Sequence, residues 1–260
     1  MPTASVNGID LNYRIDGREG APWLLFSNSL GTNLGMWDGQ IEPLSPHFRI
    51  VRYDSRGHGA SGAPDEDYTI ELLGRDAVGL LDHLEIDKTF YCGLSKGGMV
   101  GQWLGANAGG RLEKLILSNT SSYMEPKEIW NERIATARTE GMEALVDLVV
   151  QRWFTPGFID GNAAEIARVR EMILTSPGHG YAGCCAAIRD MDQRGILPSI
   201  AVPTMVIVGA EDPATVPAAG ELIAEGIPGA RLHVIKNAAH LSNVEQPAQY
   251  LAAMSDFFGI

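Results

Sequence analysis

The opening segment ASVNGIDLNYRID alternates apolar and polar residues on either side of Asn7-Gly8. Alternation at period two marks strands buried on one face, and Asn-Gly suits a tight turn, so an antiparallel hairpin is predicted here. Beyond it the pattern changes to short, nearly uninterrupted apolar runs: PWLLFSN (22–28), FRIVRYD (48–54), KTFYCGL (88–94), LEKLILSN (112–119), PTMVIVG (203–209) and ARLHVIK (230–236). Runs of this kind predict strands covered on both faces, hence a mostly parallel sheet. Between most of them lie helical patterns, such as IELLGRDAVGLLDHL (70–84) and GGMVGQWLGANA (97–108). A final helix, QPAQYLAAMSDFF (246–258), has its proline at the first turn, where no amide donor is lost. Strands alternating with helices predict an α/β fold with a doubly wound sheet.

The alternation breaks once. From about Ser121 to Ser199 only helical stretches occur, among them PKEIWNERIATARTEGMEALVDLVVQRW and NAAEIARVREMIL. This is the expected position of a helical cap (121–199) inserted between two late strands of a core formed by 1–120 and 200–260. A cap there would roof the carboxyl edge of the sheet, where open α/β sheets bind ligands.

The 260 residues suffice for one domain with an insertion. A net charge of −12 argues against nucleic acid and against anionic membranes, both of which call for a basic face. No apolar run approaches a membrane span, and no signal peptide is read. The 3 cysteines, with Cys184 and Cys185 adjacent, make no disulfide framework and are expected as buried thiols in a reducing cytoplasm. A monomer or small homo-oligomer is expected.

The chemistry concentrates at three loops. Gly93-Leu94-Ser95-Lys96-Gly97 is a G-x-S-x-G pentapeptide where a strand gives way to a helix. In that context it predicts a sharp turn that lifts the serine hydroxyl clear of the sheet, with glycines relieving the crowding. A serine at neutral pH needs a base to act as a nucleophile. Of the 6 histidines, His240 follows the last strand in NAAHLSNVEQP and is the candidate base. Asp212, in VIVGAEDPATVP, leaves the preceding strand and is the candidate acid that orients the imidazole. Glu211 competes for that role, with a solvated position as its simpler reading. Asp54 ends a strand in YDSRGHG, a turn read as structural. Acyl transfer also needs donors for the developing oxyanion. The backbone N–H of Lys96 and that of Leu30, in Asn28-Ser29-Leu30-Gly31, are the candidates. The Lys96 ammonium sits unfavourably at the positive end of a helix; it is read as reaching solvent or as facing a substrate carboxylate or nearby acid.

With the chain order Ser95, Asp212, His240, the sequence resembles the α/β-hydrolase superfamily over nearly its whole length. More narrowly it resembles bacterial 3-oxoadipate enol-lactonases, through SNSLGTNLGMW, RYDSRGHGASGAP, GLSKGGMVGQWLG, TARTEGM, GYAGCCAAIRDMDQR and AAHLSNVEQP. Asn28-Ser29 stands where the superfamily commonly has His-Gly, and Lys96 where related elbows more often carry methionine or glutamine. The resemblance implies hydrolysis of the small anionic lactone of 3-oxoadipate in aromatic-compound degradation, with no cofactor. A carboxylesterase, perhydrolase or carbon–carbon hydrolase using the same three residues is the alternative reading, a non-catalytic small-molecule receptor a remote one, and no metal site is expected. Such a substrate calls for a local cation. Trp130 and Arg133, three apart in a helical stretch, are the candidate substrate-binding residues. The competing readings put Trp130 in the cap core and Arg133 in solvent; Trp153 is read as core.

Overall fold

The computed structural model describes residues 2–260. Its sheet contains β1 (Thr3–Val6), β2 (Ile9–Gly17), β3 (Trp23–Ser27), β4 (Arg49–Tyr53), β5 (Thr89–Leu94), β6 (Leu112–Ser118), β7 (Thr204–Gly209) and β8 (Arg231–Ile235). They stand in the order β1-β2-β4-β3-β5-β6-β7-β8. The β1–β2 hairpin is antiparallel, as is β2 against β4, and the six strands from β4 to β8 run parallel. Asn7 (φ 44°) and Gly8 (φ 80°) both take positive φ, as a tight hairpin turn requires.

The helices are α1 (Asp38–Leu44), α2 (Ile70–His83), α3 (Lys96–Asn107), α4 (Lys127–Thr139), α5 (Val146–Trp153), α6 (Pro156–Gly161), α7 (Ala163–Leu174), α8 (Gly178–Asp190), α9 (Pro217–Gly226), α10 (Ser242–Glu245) and α11 (Pro247–Phe258). In α2, Ile70, Leu73, Ala77, Leu80 and Leu81 share the buried face, and the Thr69 hydroxyl caps the amino end by accepting from the Leu72 amide. Pro247 opens α11. Between β6 and β7 the described chain holds five α-helices, α4 to α8, and an isolated bridge from Tyr123 to Asp192 in place of a strand. The buried apolar side chains form one continuous cluster, in which Val149 and Tyr181 of the helical stretch join Leu94 and Leu117 of the sheet.

One expectation needs correction. ARLHVIK does form a strand, but β8 is the last in the sheet, and Arg231 to Val234 are all exposed. Composition alone does not distinguish an edge strand from a central one. By contrast β7, flanked on both sides, is buried at every residue.

The sheet order positions the site. The connection after β3 crosses to β4 on one side, whereas β5 lies on the other, so the chain reverses direction of winding at β3. The crevice at such a reversal is where open α/β sheets hold ligands. Ser27 pairs in register with Gly93, so the loops after β3 and β5 leave the sheet side by side.

Candidate active site

Ser95 sits between β5 and α3 with φ 57° and ψ −116°, outside the regions a non-glycine residue occupies without strain. Three hydrogen bonds hold it there. Its amide donates to Ser118 O (2.8 Å), and its carbonyl accepts from Thr120 Oγ1 (2.7 Å) and the Met99 amide (3.0 Å). The flanking glycines answer to packing: a Cβ on Gly93 would lie 2.2 Å from Gly97 O, and one on Gly97 2.2 Å from Ser27 O. The turn thus fits against the β3 and α3 backbones only without side chains at 93 and 97.

His240 follows β8, and its Nδ1 lies 2.8 Å from Asp212 Oδ2. Asp212 follows β7 and is buried, as is His240. Its Oδ1 accepts from the Ala214 amide (2.8 Å) and the Thr215 amide (2.9 Å); Oδ2 also accepts from Thr215 Oγ1 (2.8 Å) and Asn119 Nδ2 (3.0 Å). Burial by itself pushes the Asp212 carboxyl up. The opposing charge of His240 and the hydrogen bonds from His240, Asn119 and Thr215 outweigh it and hold the group below its ordinary value. Glu211 is exposed, and Asp54 accepts from Asn12 Nδ2 and the Leu34 and Ala60 amides, a structural arrangement.

Two further contacts fix the His240 loop. The Leu241 amide donates to Trp153 O (3.1 Å), and the buried Glu245 carboxylate accepts from the Ala239 amide (2.8 Å) at one oxygen and from Thr155, through amide and hydroxyl, at the other. The loop carrying His240 is therefore bonded to the α5–α6 junction directly at Leu241 and, through Glu245, at Ala239.

The Leu30 and Lys96 amides have no hydrogen-bond acceptor among the described residues. Lys96 N is the first amide of α3, and Gly97 N donates to Asn28 O (3.1 Å), which joins the two loops. The Lys96 side chain departs from expectation. It is 1% exposed, so the reading in which its head reaches solvent is overturned, and it does not line the cavity described next. Burial pushes its ammonium below the ordinary lysine value; Cys184, Asp54 and Asp76 oppose that shift.

A cavity of about 350 Å³ opens over these loops. Ser95, His240 and Leu30 line it from the sheet side, and Trp130, Arg133, Trp153 and Tyr181 from the helical stretch. Both competing readings of Trp130 hold, since it is 8% exposed and lines the cavity. Arg133 is only partly exposed; its guanidinium lies 5.2 Å from the Trp130 ring centroid, and the neighbouring Tyr181 is the main cause holding it above the ordinary arginine value, against the opposing effect of burial. Trp153, read as core, is buried and also lines the cavity, its ring centroid 6.1 Å from that of His240. Asn119, Thr215, Tyr181 and Glu245 are site residues that sequence pattern did not reveal. Only Asn119 carried a signal, since it closes LILSN as Asn28 closes LLFSN, at the same edge of the sheet.

This constellation sits on a sheet whose sequence, over residues 24–253, matches the model of the Alpha/beta hydrolase family. The chain belongs to the α/β-hydrolase family. Among relatives of this family member, 3-oxoadipate enol-lactonase 2 of Acinetobacter baylyi is 39% identical over 248 residues, spanning 95% of this chain and 92% of the relative. The same organism's 3-oxoadipate enol-lactonase 1 is 37% identical over 250 residues, with 96% and 93% covered. The crystal structure of the enol-lactonase from Burkholderia xenovorans LB400 superposes with a TM-score of 0.97 at 44% identity, covering 100% of both chains. Among the described residues no helix is long and apolar enough to cross a membrane.

Proposed function

We propose that this protein hydrolyses a small anionic enol-lactone, converting 3-oxoadipate enol-lactone to 3-oxoadipate in aromatic-compound degradation. Ser95 is the nucleophile, His240 the base and Asp212 the acid that orients it. His240 takes the Ser95 proton as Oγ attacks the lactone carbonyl, and the amides of Leu30 and Lys96 receive the oxyanion. Collapse of the tetrahedral intermediate breaks the ring C–O bond and expels an enolate, a better leaving group than a simple alkoxide; once protonated it becomes the ketone. A water deprotonated by His240 then attacks the acyl-serine and releases the second carboxylate, returning Ser95 to its starting form.

The observation that carries this reading is a cavity lined by Ser95, His240 and Arg133, an arginine that forms no salt bridge with a carboxylate among the described residues. Two relatives named 3-oxoadipate enol-lactonases, 37% and 39% identical, support it. Arg133 receives the substrate carboxylate and Trp130 packs beside it. The test compares an anionic enol-lactone with a neutral lactone of the same ring. Ser95→Ala is expected to abolish turnover of both with the fold intact by circular dichroism. Arg133→Ala is expected to raise KM for the anionic lactone about tenfold or more, the scale of one lost charge-assisted contact, and to leave the neutral one little changed. Near-wild-type turnover in Ser95→Ala would end the proposal, and equal effects on both lactones in Arg133→Ala would remove the anion from it.

A further inference from the structure

The turn after β4, Asp54-Ser55-Arg56-Gly57-His58-Gly59, plays no part in the chemistry above, yet its histidine reaches the oxyanion loop. His58 is fully buried, and its Nε2 accepts from the Gly31 amide at 2.7 Å. Its Nδ1 faces Arg56 O at 3.2 Å, so the neutral tautomer protonated at Nδ1 satisfies both contacts. Burial, with the nearby Lys96 ammonium, pushes the imidazole well below its ordinary value, which keeps the Nε2 lone pair available.

The geometry of the loop gives this contact its meaning. Ser29 O accepts from Thr32 through the amide (3.3 Å) and Oγ1 (2.9 Å). In a planar trans peptide the carbonyl and the following N–H point in opposite directions, so the Leu30 N–H turns away from Thr32. The next peptide unit is held at its own N–H, on Gly31, by His58. The peptides on either side of Leu30 are thus each pinned at one atom, one from within the loop and one by His58. Nor is His58 itself free to shift. The Arg56 guanidinium bonds both oxygens of the buried Asp76 (2.8 and 2.9 Å), and Gly57 packs backbone to backbone against Gly180, where a Cβ would lie 2.7 Å from Gly180 O. Gly31, at φ 77°, has the Tyr181 ring 3.2 Å from the position of a Cβ.

We propose that His58 is a positioning residue for catalysis: by accepting from the Gly31 amide it holds the Leu30 amide where the oxyanion forms. The proposal rests on the reading that the Leu30 amide is an oxyanion donor and Ser95 the nucleophile. A residue that acts this way stabilises the transition state and not the bound ground state.

The test uses His58→Phe, which keeps a planar ring without the acceptor, and His58→Gln, whose side-chain oxygen reaches toward the position of Nε2. Each is measured for kcat and KM on the anionic lactone, for inhibition by butylboronic acid, which forms a tetrahedral adduct on a serine, and for affinity toward adipate, a product-like dicarboxylate. In H58F, kcat is expected to fall about tenfold or more, below the ~10²–10³ lost with an entire oxyanion donor. Butylboronic acid is expected to bind more weakly by the same factor, adipate to within about twofold of wild type, and H58Q to recover most of the loss. If H58F does not fold, His58→Asn, whose side chain stops short of Gly31, takes its place with the same expectations. The proposal is overturned if kcat and boronate affinity stay at wild-type values, or if adipate affinity falls together with boronate affinity. Failure of butylboronic acid to inhibit the wild-type protein would instead strike the underlying assignment of Ser95.

Discussion

Asp212 gathers hydrogen bonds from His240, Asn119, Ala214 and Thr215 in a place where burial alone would raise its pKa. Its folded-state pKa lies below the ordinary value of 3.8, so its contribution to stability is complete above that pH and is lost as the pH falls through the folded value. In urea titrations, the stability difference between wild type and Asp212→Asn is expected to be constant from about pH 5 to 8 and to shrink below about pH 4. A difference that grew on acidification would contradict the sign. At this scale the sequence was legible in where it places Ser95, Asp212 and His240, on the loops that follow β5, β7 and β8. Asn119 and Tyr181 were not, because their roles depend on which loops the sheet order brings together. Asn119 bonds Ala239 O, 120 residues away in the chain. Lys96 shows the opposite failure: a charged residue next to the serine invites a solvent-exposed reading, yet the side chain is directed into the protein.

Among elements, the strands were legible because six apolar runs and one hairpin signal appear in the sequence itself. What did not appear was position within the sheet, hence the exposed face of β8. Nor did the bonds between the helical stretch and the His240 loop appear, since Thr155 and Glu245 lie 90 residues apart. Glu245 is a buried carboxylate, and hydrogen bonds to charged groups contribute about 1.5–3 kcal/mol. Thr155→Val keeps the shape and the backbone donor but removes the hydroxyl. It is expected to lower stability within that range, read from the urea midpoint, and to reduce kcat with it, because the same carboxylate holds the Ala239 amide beside His240. A fall in stability with unchanged kcat would separate the Glu245 contact from the placement of His240.

For the molecule as a whole, the net charge of −12 repels the proposed anionic substrate while the cavity offers it Arg133. The two fields are screened differently. Salt damps interactions between exposed charges over a Debye length of about 10 Å at 0.1 M, and affects partly buried ones much less. Raising ionic strength from about 10 to 150 mM is therefore expected to increase kcat/KM for the anionic lactone and leave the neutral one flat. A decrease for the anion would mean that local attraction, and not the global charge, governs its approach.

The two bonds that run from the α5–α6 junction to the His240 loop also constrain how such a protein could diversify. The donors proposed for the oxyanion follow neighbouring strands, while the residues that line the far side of the cavity come from the helices between β6 and β7. A chimaera that exchanged these helices for another set would keep the first group and replace the second. It would also remove the Thr155 donors and the Trp153 carbonyl, leaving the Glu245 carboxylate buried with one partner and the Leu241 amide with none. A functional transplant must bring its own hydroxyl and carbonyl to those two points.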